Sequence, residues 1–384
     1  MKCPDYDLKA ARDEIFDRLC VIWDESLEAG KNDIWRKANT LQSIARYFRS
    51  YSGVDSEKVR CAKALAIMEN GYAFYQGVKN NKWWVDDYGW WGGFFLDVYD
   101  YNLGGVFEQA SLKAELKFAY EQMRQNLDTT YGGIWNVVGQ DASEKNTVTN
   151  AWALRLAAGL AYMNNNDPSY IKLADEHYRW LTTGEYNGKT PDTWGLWNSD
   201  GLIYWTPLNP LNVGPNHSYS PTALWSGNEG VLLEALNTYS ARFDDNRRKE
   251  ILEPCKRLVQ AAVSPLPANG FVDSESVCHE SPAAADWSND LATGKGVMLR
   301  LMFQFAKGHD LITPDFRNLI NATAQSVWCS QEMKGKANSQ VVRNWNPGFG
   351  PSQENDRQSG GLWPLVLQAG GLDALNTAYS LSKL

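Results

Sequence analysis

The sequence predicts an all-α chain built as a ring of paired helices. Three observations carry this. Apolar residues recur with helical spacing in about twelve segments, alternation of period two is scarce, and Gly-aromatic clusters return at the segment ends. In "GNEGVLLEALNTYSARF", Val231, Leu232, Ala235, Leu236 and Tyr239 share one helical face. In "GKGVMLRLMFQFAK", Val297, Met298, Leu301, Met302 and Phe305 repeat that spacing, and both runs follow residues suited to starting a helix. Marked the same way along the chain, helices are expected near 8–29, 37–51, 56–77, 88–102, 106–128, 146–165, 168–184, 222–242, 245–263, 287–307, 314–331 and 359–382. "GLIYW" at 201–205 reads as a short strand in a hairpin after "LWNSD". The clusters "WWGGFF", "YGGIW", "WGLW" and "GGLW" lie at helix starts or ends, which places such loops together at one end of a toroid. An irregular solenoid is the alternative, though solenoids repeat more strongly.

No linker or low-complexity stretch interrupts the 384 residues, so one domain spanning 1–384 is expected. The longest irregular pieces, 185–221, 264–286 and 332–358, are rich in Gly, Pro, Asn and Trp, and long loops in compact domains are usually functional. A net charge of -8 without a Lys/Arg run argues against nucleic acid or an anionic membrane as partner. No stretch approaches 18 apolar residues, so no membrane span is expected. "MKCPDYDLKAARDEIF" has no apolar signal-peptide core. As it stands the sequence reads as cytoplasmic, and a secreted or periplasmic form stripped of its leader would read the same. A monomer is expected.

The 17 Trp and 18 Tyr are the compositional signal, because many stand beside Gly, Asn and Asp. Flat rings stack on the C–H faces of sugars while Asn and Asp bond hydroxyls, so a carbohydrate ligand is indicated. Core packing accounts for many of the same rings. The six cysteines include no CxxC pair; Cys278 and Cys329 lie in or near loops where they could meet. Cys278, His279 and Glu280 are contiguous and cannot converge on one ion, so no metal is expected. His217, in "GPNHSYSP", reads as a loop hydrogen-bonding residue. No phosphate-binding loop, dinucleotide fingerprint or nucleophile elbow is present.

"KNNKWWVDDYGWWGGFFLDVYDYN" sets Asp86 and Asp87 among Trp83, Trp84, Trp90 and Trp91. Glycoside hydrolysis usually needs two carboxyl groups, about 5–5.5 Å apart in retaining enzymes. Adjacent side chains at a helix start can reach that separation, whereas in a strand they would face opposite ways. The bland reading is helix capping by Asp. Capping alone requires neither the four indoles nor the two glycines. Trp135, Asn146, Asn150, Trp197, Asp200, Asn228 and Trp345, with Trp90 and Trp91, are candidates for lining a groove, each in or beside a Gly-aromatic loop or a helix start.

"VDDYGWW" resembles the Asp-Asp motif of glycoside hydrolase family 76, the endo-α-1,6-mannanases. In the same order along roughly 80–305, "YGGIWNVV", "EKNTVTNAWALRLAAGLAY", "NEGVLLEAL" and "TGKGVMLRLM" are similar to further stretches of that family. The resemblance implies an (α/α)6 barrel with its groove at one end and a retaining mechanism. It makes Asp86 the nucleophile and Asp87 the general acid/base, with no metal or organic cofactor and with α-mannan or another α-glycan as substrate. The chain departs from the family pattern at Glu229, at Gly92 and Gly93, and at Trp152, and these changes are expected to touch the groove. Other readings on the same toroid are a non-hydrolytic glycan-binding protein, a transglycosylase, or a lyase, isomerase or cyclase.

Overall fold

The structure is a computed structural model that describes residues 6–28, 34–50, 57–103, 107–137, 144–214, 221, 224–263, 294–329, 341 and 363–384. Among them are 12 α-helices. These are α1 (Leu8–Glu28), α2 (Ile34–Arg49), α3 (Lys58–Val78), α4 (Val85–Asp100), α5 (Gln109–Arg124), α6 (Thr147–Met163), α7 (Pro168–Thr183), α8 (Ser226–Ser240), α9 (Asp245–Val263), α10 (Gly294–Gly308), α11 (Pro314–Cys329) and α12 (Trp363–Leu381). The even-numbered helices close a ring: α2 packs on α4, α4 on α6, α6 on α8, α8 on α10, α10 on α12, and α12 on α2. The odd-numbered helices lie outside it, as with α5 against α4 and α6, or α9 against α8 and α10. This is the expected (α/α)6 barrel.

Composition separates α6, inside, from α9, outside. α6, TVTNAWALRLAAGLAYM, is apolar almost all round and carries a single charge. α9, DNRRKEILEPCKRLVQAAV, buries only a stripe of Ile251, Leu252, Cys255, Leu258, Val259, Ala262 and Val263. A helix apolar on every side belongs in the interior, and a striped one at the surface. Glycines bring neighbouring inner helices close. A Cβ on Gly296 of α10 would stand 2.5 Å from the Gly370 Cα of α12.

Midway along the inner helices a belt of charges alternates in sign round the ring: Arg46 (α2), Asp97 (α4), Arg155 (α6), Glu234 (α8), Arg300 (α10) and Asp373 (α12), all buried except Glu234, which is half-buried. Arg155 lies 2.7 Å from Asp97 and 3.3 Å from Glu234. Arg300 lies 2.6 Å from Asp373, and Arg46 lies 3.9 Å from Asp97. Arg46 also donates to the Arg300 carbonyl at 3.0 Å. Arg300 further donates to Asn39, Gln42 and Ser43 of α2. Burial pulls the Arg155 guanidinium towards its neutral form, but Asp97 and Glu234 overcome it and raise the pKa above the ordinary arginine value.

The expected hairpin at 197–205 is reduced to a bridge between Trp197 and Ile203, and no named strand occurs among the described residues. The expected helix start at 88 is in fact at Val85, so Asp86 and Asp87 lie inside the first turn rather than before it. Cys278, His279, Glu280, His217 and Trp345 lie outside the described residues. No described helix is long and apolar enough to cross a membrane.

Two predictions follow from buried charge. Replacing Arg155 by Met leaves Asp97 and Glu234 without their shared cation, and urea unfolding should show a loss of about 3–5 kcal/mol. A loss within about 0.5 kcal/mol of zero, the range of an ordinary surface substitution, would show the belt to be unimportant. The second concerns His177 of α7, which is buried with its Nε2 3.0 Å from the Tyr120 hydroxyl. Burial, aided by Arg124, lowers its pKa from 6.5 to about 4. The unfolded chain therefore binds a proton that the folded one refuses between those values. The stability His177 contributes is complete above pH 6.5 and falls as pH drops towards 4, by about 1.4 kcal/mol per unit. His177→Gln should flatten this part of the stability-pH curve; an unchanged slope between pH 6.5 and 4.5 would contradict it.

Candidate active site

The starts of the inner helices gather at one end of the ring, and the acid pair lies among them. Trp84, in extended conformation, precedes α4 but provides no side-chain cap. The first-turn donors are met from elsewhere. Val85 N–H donates to the Asn136 carbonyl at 2.9 Å, and Asp87 N–H to the Trp84 carbonyl at 3.2 Å. Asp86 N–H donates to Asn136 Oδ1 at 3.1 Å. Asp87 is buried, whereas Asp86 is half-buried and Trp84 is 53% exposed. Two carboxylates in a first turn are favoured by the positive end of the helix dipole.

The connection from α5 to α6 is secured to α6. Asn146 caps α6, its Oδ1 accepting from Thr149 N–H at 3.0 Å. Asn150 bonds both backbone groups of Ile134, at 2.8 and 3.1 Å. Lys145, with no side-chain exposure, pairs with Asp128 at 2.7 Å and lies 4.7 Å from the Trp135 ring centroid. Burial lowers the Lys145 pKa; Asp128 is itself held below the usual carboxylate range because Lys145 and two backbone donors outweigh its own burial. Gly132 and Gly133 take positive φ, +71° and +77°, where the chain turns against Trp180. The next long connection is fastened too: Thr147 N–H donates to the Trp205 carbonyl at 2.8 Å, and Trp205 Nε1 to Glu144 at 3.2 Å.

One helical turn below Asp86, Trp90 begins a layer of indoles. Its ring centroid lies 5.7 Å from Trp35, 5.1 Å from Trp152 and 6.4 Å from Trp225. Because α4 and α8 are not neighbours in the ring, the contact between Trp90 and Trp225, the residue preceding α8, spans the interior. The acids therefore stand above an aromatic floor. Trp152 fits there because two α4 positions lack side chains: a Cβ on Gly89 or Gly93 would come within 2.6 or 2.5 Å of it. Gly92 meets Leu156 in the same way. The departures at Gly92, Gly93 and Trp152 are thus linked by the packing of α4 on α6, with Trp152 in the floor beneath the acids.

The other candidates divide. Trp91 is a correction. It is fully buried, donates to the Ile34 carbonyl at 3.1 Å, and packs on Tyr75 and Phe95, facing the outer layer. Trp90 is buried as floor. Asn146 uses its Oδ1 on the start of α6 and Asn150 its side chain on the loop, so they hold the site's framework, while the buried Asn146 Nδ2 has no hydrogen-bond partner among the described residues. Trp135 is buried beside Lys145. Trp197 is half-buried in the hairpin bridge, and Asp200 is exposed at its tip, its N–H bonded to Asn198. Asn228, fully buried in the first turn of α8, has neither amide atom hydrogen-bonded among the described residues. Glu229 is buried beside it. Sequence reasoning passed over Asn136, which lies in no periodic pattern; its one signal was its place in the "YGGIWNVV" stretch. Among the described residues no three His, Cys, Asp or Glu side chains gather as metal ligands.

The chain resembles several solved structures. An α-1,6-mannanase of Salegentibacter sp. HEL1_6 superposes with a TM-score of 0.71 at 18% identity, covering 98% of this chain and 100% of that one. An inactive variant of the same enzyme, two consecutive aspartates replaced by asparagine, is bound to α-1,6-mannotriose; it matches with a TM-score of 0.69 at 17% identity over 98% and 100% of the two chains. A family 76 α-mannanase of Bacteroides thetaiotaomicron matches with a TM-score of 0.65 at 13% identity over 99% and 98%. No curated protein matches the chain. The sequence profile of glycosyl hydrolase family 76 matches residues 11–369, and the chain belongs to that family.

Proposed function

We propose that the chain hydrolyses α-mannosidic bonds, of the α-1,6 type, with retention of configuration, using Asp86 and Asp87. The observation that carries this is the placing of two adjacent carboxyl groups in the first turn of an inner barrel helix, where the helix starts converge above an indole floor. Family membership and the mannan-directed activity of the structural neighbours support it.

The chemistry runs through these two side chains and a water. Asp87 gives its proton to the glycosidic oxygen as Asp86 attacks the anomeric carbon, and the C–O bond to the leaving sugar breaks. A covalent glycosyl ester on Asp86 remains. Water then attacks the same carbon, losing a proton to the Asp87 carboxylate, and Asp86 is released with the configuration restored. The more open carboxyl is the one suited to reach the sugar ring, and the more enclosed one to hold a proton. Successive side chains on a helix point about 100° apart, so two neighbours can address different atoms of one bond.

The test is hydrolysis of α-1,6-mannan with substituted enzymes and an activated substrate beside it. Asp86→Asn should abolish turnover of both. Asp87→Asn should lower mannan turnover by roughly 10²–10⁴-fold, the worth of a general acid. It should still form the glycosyl ester rapidly from a dinitrophenyl α-mannoside, whose leaving group needs no proton. Full activity of both variants on mannan would remove the acid pair from the reaction. Glycan binding without cleavage by the unsubstituted protein would favour a non-hydrolytic role.

A further inference from the structure

We infer that Asn136 is the positioning residue of the acid pair; this rests on the glycosidase reading above. The first turn of a helix has N–H groups with no partner inside the helix, usually met by an N-cap side chain. α4 has Trp84 at that place and no side-chain cap. Asn136 acts in its stead from 50 residues along the chain. Its carbonyl takes the Val85 N–H at 2.9 Å. Its Oδ1 takes the Asp86 N–H at 3.1 Å and the Thr149 hydroxyl at 2.8 Å. Its own N–H donates to the Glu144 carbonyl at 3.0 Å. Asn136 is buried, so water does not substitute easily for these bonds.

One amide oxygen thus joins the first turn of α4 to the first turn of α6. Asp86 and Asp87 hang from backbone that this residue fixes, while their carboxyl groups remain uninvolved in capping by Asn136. A misplacement of about 1 Å can cost on the order of 10²-fold in rate, so the clamp acts on catalysis without touching substrate. The elements packed here bring other charges that every variant shares. The α5–α6 connection carries Asp128 and Lys145, paired with each other, Glu144, and Asp141, which lies outside the described residues; α2, packed on α4, has Arg36 and Lys37 in its first turn; α6 has no ionisable side chain before Arg155.

Two variants separate positioning from stability. Asn136→Ala removes the Oδ1 acceptor, and kcat on α-1,6-mannan should fall about 10–100-fold with KM little changed, in protein shown folded by circular dichroism. Asn136→Asp keeps an oxygen for both donors. It should return kcat to within a few-fold of the unsubstituted enzyme at its own optimum, while the added charge moves the pH-rate profile upward. Carbon-13 NMR titration of the Asp86 and Asp87 carboxyls reads the same effect without substrate: both midpoints should rise in Asn136→Asp. An Asn136→Ala enzyme with unchanged kcat overturns the inference, as do unmoved carboxyl midpoints. Asp86→Asn and Asp87→Asn run in parallel show which idea fails. If they keep activity the catalytic role of the acid pair is wrong, and if they lose it while Asn136→Ala does not, only the positioning role is.

Discussion

The barrel depends on a belt of six charges midway along the inner helices, alternating in sign round the axis, five of them buried and Glu234 half-buried. A ring of apolar helices could close with many rotations of each helix, since hydrophobic contact has no direction. Ion pairs and charge-assisted hydrogen bonds do have direction, and an unpaired charge in this interior is costly. Arg155 reaches Asp97 on one neighbour and Glu234 on the other. Arg300 ties α10 to both α12 and α2. Together these contacts set which face of each helix looks inward, and so which residues stand at the helix starts.

From that belt the interior is layered. Asp97 lies eleven residues beyond Asp86 on α4, roughly 16 Å along the axis. Between them Trp90, Trp152 and Trp225 fill the cross-section. The belt orients the helices, the indoles close the interior, and the acids occupy the rim. Stability and chemistry are thus separated along one axis, with the glycines of α4 permitting the floor to be built of full-sized indoles.

Much of this was legible in the sequence. Helical periodicity marks all twelve helices, because inner and outer elements alike carry an apolar face. The acid pair stood out because its aromatic setting exceeded what capping needs. What stayed hidden depends on partners distant in the chain. The α4 start reads late because Trp84 offers no capping signal and Asn136 supplies the acceptor from another loop. That Trp152 reaches the floor of the site because Gly89 and Gly93 make room for it is not visible in either helix alone. Trp91 cannot be told from Trp90 by composition; only the rotation of α4 sends one to the axis and the other to the outer layer. The belt went unread, although charges stand alone inside apolar runs such as "AWALRLAAGL" and "FFLDVY", because only the closed ring brings them together.

The most direct test of the acid pair's role is to trap the reaction half-way. The protein would be incubated with an activated fluorinated α-mannoside that forms the glycosyl ester quickly and releases it slowly. Proteolysis and mass spectrometry would then locate the label. A single mannosyl adduct on Asp86, absent from Asp86→Asn, is the expected result. An adduct on another side chain, or none from an enzyme that still cleaves α-mannan with retention, would contradict it.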